Sequence, residues 1–146
     1  MKVSLVVCLL LASALAVTAI PSPKSFCGVS GTTLGGWTVV EGVNSTDVVS
    51  GSYTYEELMG MAVEEWEATS GNTLPCTDPL FTPEIVCSQV VAGVNYKIYF
   101  TAECEDAAPV DFEAAIFVPL YSNPAGTEPQ ITSVKKVKGT SRRLLF

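Results

Sequence analysis

The stretch that most constrains the fold is a pair of strand-forming runs between residues 84 and 101. β-branched and aromatic residues dominate both runs, and the small residues Ala92 and Gly93 lie between them. Two such runs joined by a glycine-containing turn are typical of an antiparallel hairpin. We therefore expect a hairpin with a small, uncharged, apolar tip, whereas most loops carry polar side chains. The tip reads Val90-Val91-Ala92-Gly93.

This tip supports two interpretations. Because Ala92 and Gly93 have almost no side chain, the surface of another protein could approach the backbone of the tip and use its N–H and C=O groups. Alternatively, Gly93 only supplies the positive φ that a tight hairpin turn requires. Gln89 to Gly93 also has the form Gln-x-Val-x-Gly, a short pattern whose meaning depends on the segments around it.

Residues 1–19 have the features of a secretory signal peptide. Lys2 precedes an apolar run from Val3 to Leu15, and small residues end the segment at Ala19, with a second possible cleavage point after Ala16. The run is shorter than the roughly 20 apolar residues that a membrane span needs. We therefore expect a chain that is secreted or held in a secretory or vacuolar lumen.

Cleavage after Ala19 would change the charge and the cysteine count. Loss of Lys2 takes the formal net charge from −7 to −8, and loss of Cys8 leaves four of the five cysteines. An acidic chain is a poor partner for nucleic acid or an anionic membrane surface. Four cysteines in an oxidising compartment are typical of two disulfides, and the remaining length, about 127 residues, suits a single domain. The four are Cys27, Cys76, Cys87 and Cys104.

Residues 20–34 are rich in Pro, Ser, Gly and Thr and show no periodicity, which indicates a flexible or disulfide-tethered N-terminal arm. Leu34-Gly35-Gly36 follows, directly before a strand that starts at Trp37. The glycine pair is either a hinge between arm and strand or an ordinary turn. Asn44-Ser45-Thr46 forms an acceptor site for N-glycosylation at Asn44.

A helix follows residue 54. Thr54 and Glu57 have the spacing of a capping box, and Ser70-Gly71 is a stop signal. Between them, apolar residues recur at helical spacing and predict one buried face. These residues are Tyr55, Leu58, Met59, Ala62 and Trp66.

After the central hairpin, the alternation of residues 112–118 predicts another strand, and residues 130–134 predict the last one. Asn123-Pro124-Ala125-Gly126 is a strong turn signal between them. Residues 135–146 carry five basic side chains and are typical of a solvated, disordered tail. The order of elements predicts an α+β fold, with one helix packed across an antiparallel sheet of four or five strands.

The composition argues against an enzyme. The chain has no histidine, which removes the usual general base and the commonest zinc ligand. The glutamates of the helix are explained by its solvent-facing side and its N-terminal turn. No Cys-x-x-Cys pair is present that would favour zinc binding. We therefore expect no catalytic residue, no metal and no cofactor.

Taken together, these segments resemble the cystatin family. Gln89 to Gly93 matches the family's inhibitory loop, the glycines lie before the first strand as in cystatins, and residues 61–66 resemble the helix signature aromatic-Ala-Val-x-Glu-aromatic. The resemblance covers residues 34–134 and implies a cystatin-like domain over residues 35–134. It also implies a monomer that inhibits papain-like, cathepsin-like cysteine proteases reversibly, competitively and without a covalent bond. The implied contact residues are Leu34, Gly35, Gly36, Gln89, Val90, Val91, Ala92, Gly93, Pro124 and Ala125.

Two departures from the family pattern affect this expectation. Met61 stands at the first aromatic position of the helix signature, and Ala125 stands where many exported cystatins have a tryptophan. Loss of an aromatic interface residue implies weaker or more selective inhibition. The alternative is a cystatin-like domain used only as a binding or structural module, although the intact Gln-x-Val-x-Gly motif favours the inhibitor.

The hairpin also restricts the disulfides. If it turns around Ala92-Gly93, paired residue numbers sum to about 185, so Cys87 and Cys104 lie about 20 Å apart along the ladder. That distance exceeds the roughly 7 Å that a bridge allows. Cys76–Cys104 at the end remote from the tip and Cys27–Cys87 near the tip then form the expected set. A Cys76–Cys87 bridge stays open.

Overall fold

The computed structural model describes residues 20–29, 35–49, 53–120 and 128–138. The predicted signal peptide, Leu34, Pro124 and Ala125 lie outside the described residues. Within these described ranges, two helices and five strands follow one another. They are α1 (Pro23–Cys27), β1 (Thr38–Val40), α2 (Tyr55–Ser70), β2 (Leu80–Val91), β3 (Gly93–Glu103), β4 (Val110–Pro119) and β5 (Gln130–Lys136).

The five strands form one antiparallel sheet in the order β1-β2-β3-β4-β5. The predicted α+β class and the antiparallel sheet are therefore confirmed. The central hairpin is longer than predicted, because β2 begins at Leu80 and passes through a register shift between Pro83 and Ile85. Proline cannot donate a hydrogen bond to a ladder, so a bulge beside Pro83 lets the strand continue past it.

Helix α2 begins and ends where the local signals indicate. The Glu57 N–H donates to Thr54 Oγ1 at 3.2 Å, and the Thr54 N–H donates to Glu57 Oε2 at 2.7 Å, which completes the capping box. Gly71 ends the helix with φ +69°. The five predicted apolar residues are all buried, and Val63 is buried with them.

The main core lies between α2 and one face of the sheet. Its largest fully buried side chains include Phe100, Phe112 and Leu58. The Phe100 and Phe112 rings stack at 5.4 Å, and Trp66 meets Phe112 edge-on at 5.1 Å. Trp66 is therefore a core residue, as its position on the apolar face predicts.

A second cluster lies on the opposite face of the sheet, where the N-terminal segment packs. It joins Cys27, Ile85, Cys87 and Tyr99 and is flanked by Ile20, Phe26, Trp37, Val39 and Val137. Helix α1 starts at a Ser22 cap and ends at Gly28. The prediction of residues 20–34 as an arm without regular structure missed this helix, because five residues are too few to show helical periodicity.

The predicted boundary of the basic tail also needs correction. Strand β5 continues through Lys135 and Lys136, and the Val137 N–H donates to the Asp111 carbonyl oxygen at 2.8 Å. Lys135 pairs with Glu113 at 2.7 Å across the β4–β5 ladder. The domain therefore extends beyond residue 134, and residues 139–146 of the predicted tail lie outside the described residues.

Two disulfides join these layers. Cys27 bonds to Cys87 with 5.6 Å between Cα atoms, and Cys76 bonds to Cys104 with 5.8 Å. These are the pairs that the hairpin register favours, and the alternative Cys76–Cys87 bridge is not formed.

Among the described helices, none is both long enough and apolar enough to cross a membrane.

Candidate functional site

The tip of the β2–β3 hairpin presents an apolar ridge to solvent. The ladder continues to the Val91–Gly93 pair, so the chain reverses at Ala92 alone. Val90 is 71% exposed, Val91 is 43% exposed and Ala92 is also exposed. Hydrogen bonds of the ladder hold this ridge in one conformation almost to its end, which makes it a narrow and preorganised projection.

Gly93 does not belong to this exposed ridge, because it is buried. It has φ +151°, and a Cβ atom there would lie 2.6 Å from Phe117 Cε2 and 2.7 Å from the Val118 carbonyl oxygen. The expected contact of a partner with Gly93 stays a prediction, and the structure shows a role of this glycine within the fold. Phe117 of the same chain occupies the space that a side chain would need, so glycine is required by the packing of the sheet.

Gln89 connects the hairpin to the segment before β1. Its Nε2 donates to the Gly35 carbonyl oxygen at 2.7 Å, while Asn95 Nδ2 donates to its Oε1 at 3.3 Å. The residue was expected to contact a partner, and the structure gives it two partners within the chain. Both polar ends of the amide are used, which fixes the position of Gly35 beside the tip.

The glycine pair lies next to the hairpin, because Gly35 is bonded to Gln89. Gly35 is exposed with φ +78°, and a Cβ atom built there would meet nothing within 4 Å. The chain then enters β1, where Thr38 pairs with Ser88. Because β1 runs antiparallel to β2, its start lies toward the tip of the hairpin.

The end of β4 supplies the third segment. Pro119 pairs with Gly93, and Leu120, which follows it, is 51% exposed. Sequence reasoning missed Leu120, although an apolar residue directly after a strand-ending proline was a usable signal. We call the exposed and half-buried residues at this end of the sheet the tip surface. Gly35, Val90, Val91, Ala92 and Leu120 are exposed, and Gly36 and Pro119 are half-buried.

The tip surface carries no ionisable side chain. The nearest cation along β3 is Lys97, whose Nζ lies 4.3 Å from the centre of the Trp37 ring and is directed to the second face of the sheet. Burial of the tip surface would therefore remove water from apolar groups and backbone amides without burying an unpaired charge. The site can dock into an apolar cleft, and its own side chains offer no acid, base or nucleophile.

Asn44 lies apart from this surface, in the turn that precedes α2. Its side chain is exposed, and its backbone N–H donates to Asp47 Oδ2 at 2.7 Å. The carbonyl oxygen of the next residue, Ser45, accepts from the Glu56 N–H at 2.8 Å. The turn is thus anchored to the start of α2, and the Asn44 amide group is accessible for modification.

Within the part of the chain that the structure describes, no group of three or more His, Cys, Asp or Glu residues is placed to hold a metal ion. Comparisons of the chain with protein-family models, with curated proteins and with solved structures found no match.

Proposed function

We propose that this chain is an exported, reversible, competitive and non-covalent inhibitor of papain-like cysteine proteases, and is not itself an enzyme. The tip surface enters the active-site cleft of the protease and blocks it. One observation carries the proposal, namely that the middle of the Gln-x-Val-x-Gly motif, Val90 to Ala92, forms a narrow exposed tip with Gly35 bound beside it through Gln89. The helix over a five-stranded antiparallel sheet and the resemblance to cystatins support it.

The physical properties of the tip suit this role. A two-stranded hairpin that reverses at Ala92 is thin enough to enter a cleft, and its ladder leaves little conformational entropy to lose on binding. Burial of an exposed valine contributes about 1.5 kcal/mol. Val90, Val91 and Leu120 together therefore supply an apolar contact without the cost of burying a charge.

A second candidate is an exported binding or structural module without inhibitory activity. It is favoured by the finding that Gln89 and Gly93 each have a role within the fold. Gln89 bonds to Gly35, and Gly93 makes room for Phe117. Two of the three fixed residues of the motif are thus explained without any protease.

A titration of papain separates the two candidates. The full chain is produced in an oxidising host and added to papain, with substrate hydrolysis as the readout. Competitive inhibition that rises with stoichiometric addition supports the inhibitor. No inhibition at micromolar excess supports the module.

A matched pair of variants tests the tip itself. Val90 and Val48 are both 71% exposed, but Val48 lies outside the tip surface. Val90→Asp should raise the inhibition constant roughly 10- to 100-fold, because it removes an apolar contact and places a charge in the cleft. Val48→Asp should leave the inhibition constant unchanged. Equal effects of the two variants would contradict the placement of the tip in the cleft.

A further inference from the structure

The segment before Gly35 is not a free chain end at the tip surface. Cys27 is bonded to Cys87, and both residues are fully buried. Gly35 is hydrogen-bonded to Gln89. Cys87 and Gln89 are two residues apart on β2 and therefore lie on the same face of the sheet. The chain from Cys27 to Gly35 is thus held at both ends by the strand that leads into the tip.

Aromatic contacts on the second face hold both ends of this segment in place. The Phe26 ring meets the Tyr99 ring edge-on at 6.0 Å, directly before the disulfide. Trp37, directly after the glycine pair, packs under the Lys97 ammonium. Next to it, Val39 pairs with Cys87. The disulfide and the Phe26 ring thus hold the chain at Cys27, and the Gln89 amide and the Trp37 ring hold it at Gly35 and directly after the glycine pair.

We propose that the Cys27–Cys87 disulfide and Gln89 act as a positioning device that preassembles Gly35 and Gly36 against the hairpin tip. The inference rests on the proposed function, since it concerns how the tip surface is presented to a protease. A segment that is already ordered loses less conformational entropy on binding than a free end does. Loss of the device should therefore speed dissociation of the complex.

The second disulfide provides a matched control. Cys104 follows the end of β3, whereas the tip lies at its start, eleven residues away. At about 3.4 Å per residue, the Cys76–Cys104 bridge is roughly 35 Å from the tip surface. Removal of either bridge lowers stability by constraining the unfolded chain less. Only removal of Cys27–Cys87 should release Gly35 and Gly36.

The experiment compares the full chain with the double variants C27A/C87A and C76A/C104A and with Gln89→Met. Gln89→Met keeps both disulfides and a side chain of similar length, so it answers the question even if C27A/C87A fails to fold. Amide hydrogen exchange at residues 35–37 is measured without protease, and the dissociation rate is measured from papain.

We expect C27A/C87A to raise exchange at residues 35–37 and the dissociation rate about tenfold, and Gln89→Met to raise both about threefold. C76A/C104A should change neither by more than twofold below its melting temperature. Unchanged exchange in Gln89→Met and C27A/C87A, or an equal rise in C76A/C104A, would overturn the positioning device. The exchange measurement needs no protease, so a chain that fails to inhibit papain but shows these exchange changes would refute only the proposed function.

Discussion

Replacement of Gly93 by alanine should destabilise the fold far more than a typical glycine-to-alanine change in a turn. A Cβ atom at this position would lie 2.6 and 2.7 Å from two carbon atoms of the Phe117 ring and 2.7 Å from the Val118 carbonyl oxygen. Carbon atoms normally approach to about 3.5–4.0 Å, so the overlap is about 1 Å. The Phe117 ring can tilt, but the Val118 oxygen belongs to the backbone of β4, which is paired with β3 at this residue.

The size of the effect follows from two contributions. Overpacking of a well-packed site costs about 1–3 kcal/mol. A positive φ at a non-glycine residue adds about 1 kcal/mol. The sum is about 3 kcal/mol, which lowers the melting temperature of a domain of about 100 residues by roughly 12 °C.

Gly42→Ala separates the two contributions. Gly42 also has a positive φ, +68°, but a Cβ atom there would meet nothing within 4 Å. This control should lose only about 1 kcal/mol, or roughly 4 °C. Phe117→Leu in the Gly93→Ala background should recover part of the loss, and a double-mutant cycle should give a coupling energy of at least about 1 kcal/mol. The Val118 oxygen remains in place, so recovery should be incomplete.

Thermal unfolding followed by circular dichroism, with urea midpoints as a second measure, is sufficient for this test. Melting temperatures of Gly93→Ala and Gly42→Ala that agree within 2 °C would refute the reasoning. Such a result would mean that the tip relaxes freely and that the glycine of the motif is not required by Phe117.

Three further predictions concern α2 and the turn before it. Thr54→Ala removes the acceptor for the Glu57 N–H and should lower the free energy of unfolding in urea by about 1 kcal/mol. The control Thr46→Ala changes an exposed turn position and should lower it by less than half of that. Burial, followed by the nearby Tyr96 and Asp47, raises the pKa of Tyr55 to about 12 from 10.0. The contribution of protonated Tyr55 to stability is therefore complete below pH 10 and is lost as the pH rises to 12. Tyr55→Phe has no such group to ionise, so its unfolding free energy should fall less between pH 10 and 12 than that of the unchanged chain. When the unchanged chain is secreted from a eukaryotic host, enzymatic deglycosylation should lower its mass, and Asn44→Gln should abolish this decrease. An unchanged chain whose mass does not decrease would contradict glycosylation at Asn44.

Features set by neighbouring residues could be predicted from the sequence. The capping box of Thr54 and Glu57 and the stop at Gly71 depend on residues a few positions apart, so the bounds of α2 followed directly. The apolar face of α2 and the alternation of β4 required only the period of each element. The antiparallel pairing of β2 with β3 and of β3 with β4 followed because short connections join these neighbours, whereas β1 is separated from β2 by α2.

Features set by contacts between distant residues could not be predicted. The register placed Cys87 opposite Lys97 rather than residue 98, because the hairpin reverses at one residue instead of two. Asp111 is buried on the second face, where Thr101 Oγ1 donates to it at 2.8 Å and Tyr99 Oη at 3.2 Å. Nothing in the local sequence around Asp111 distinguishes it from a solvent-exposed loop carboxylate.

The same distinction divides the Gln-x-Val-x-Gly motif into residues that build the tip and residues that a partner could contact. Gln89 is hydrogen-bonded to Gly35, and Gly93 packs against Phe117. Val90, Val91 and Ala92 are exposed to solvent. Substitutions at Gln89 or Gly93 should therefore alter hydrogen exchange or melting temperature in the absence of any protease. Substitutions at the exposed positions should change inhibition and leave the melting temperature within about 2 °C, since surface changes usually shift stability by no more than about 0.5 kcal/mol. Gln89 and Gly93 are then needed for the fold, whereas the exposed residues between them are needed for binding. Only substitutions at these exposed residues test binding without changing the fold.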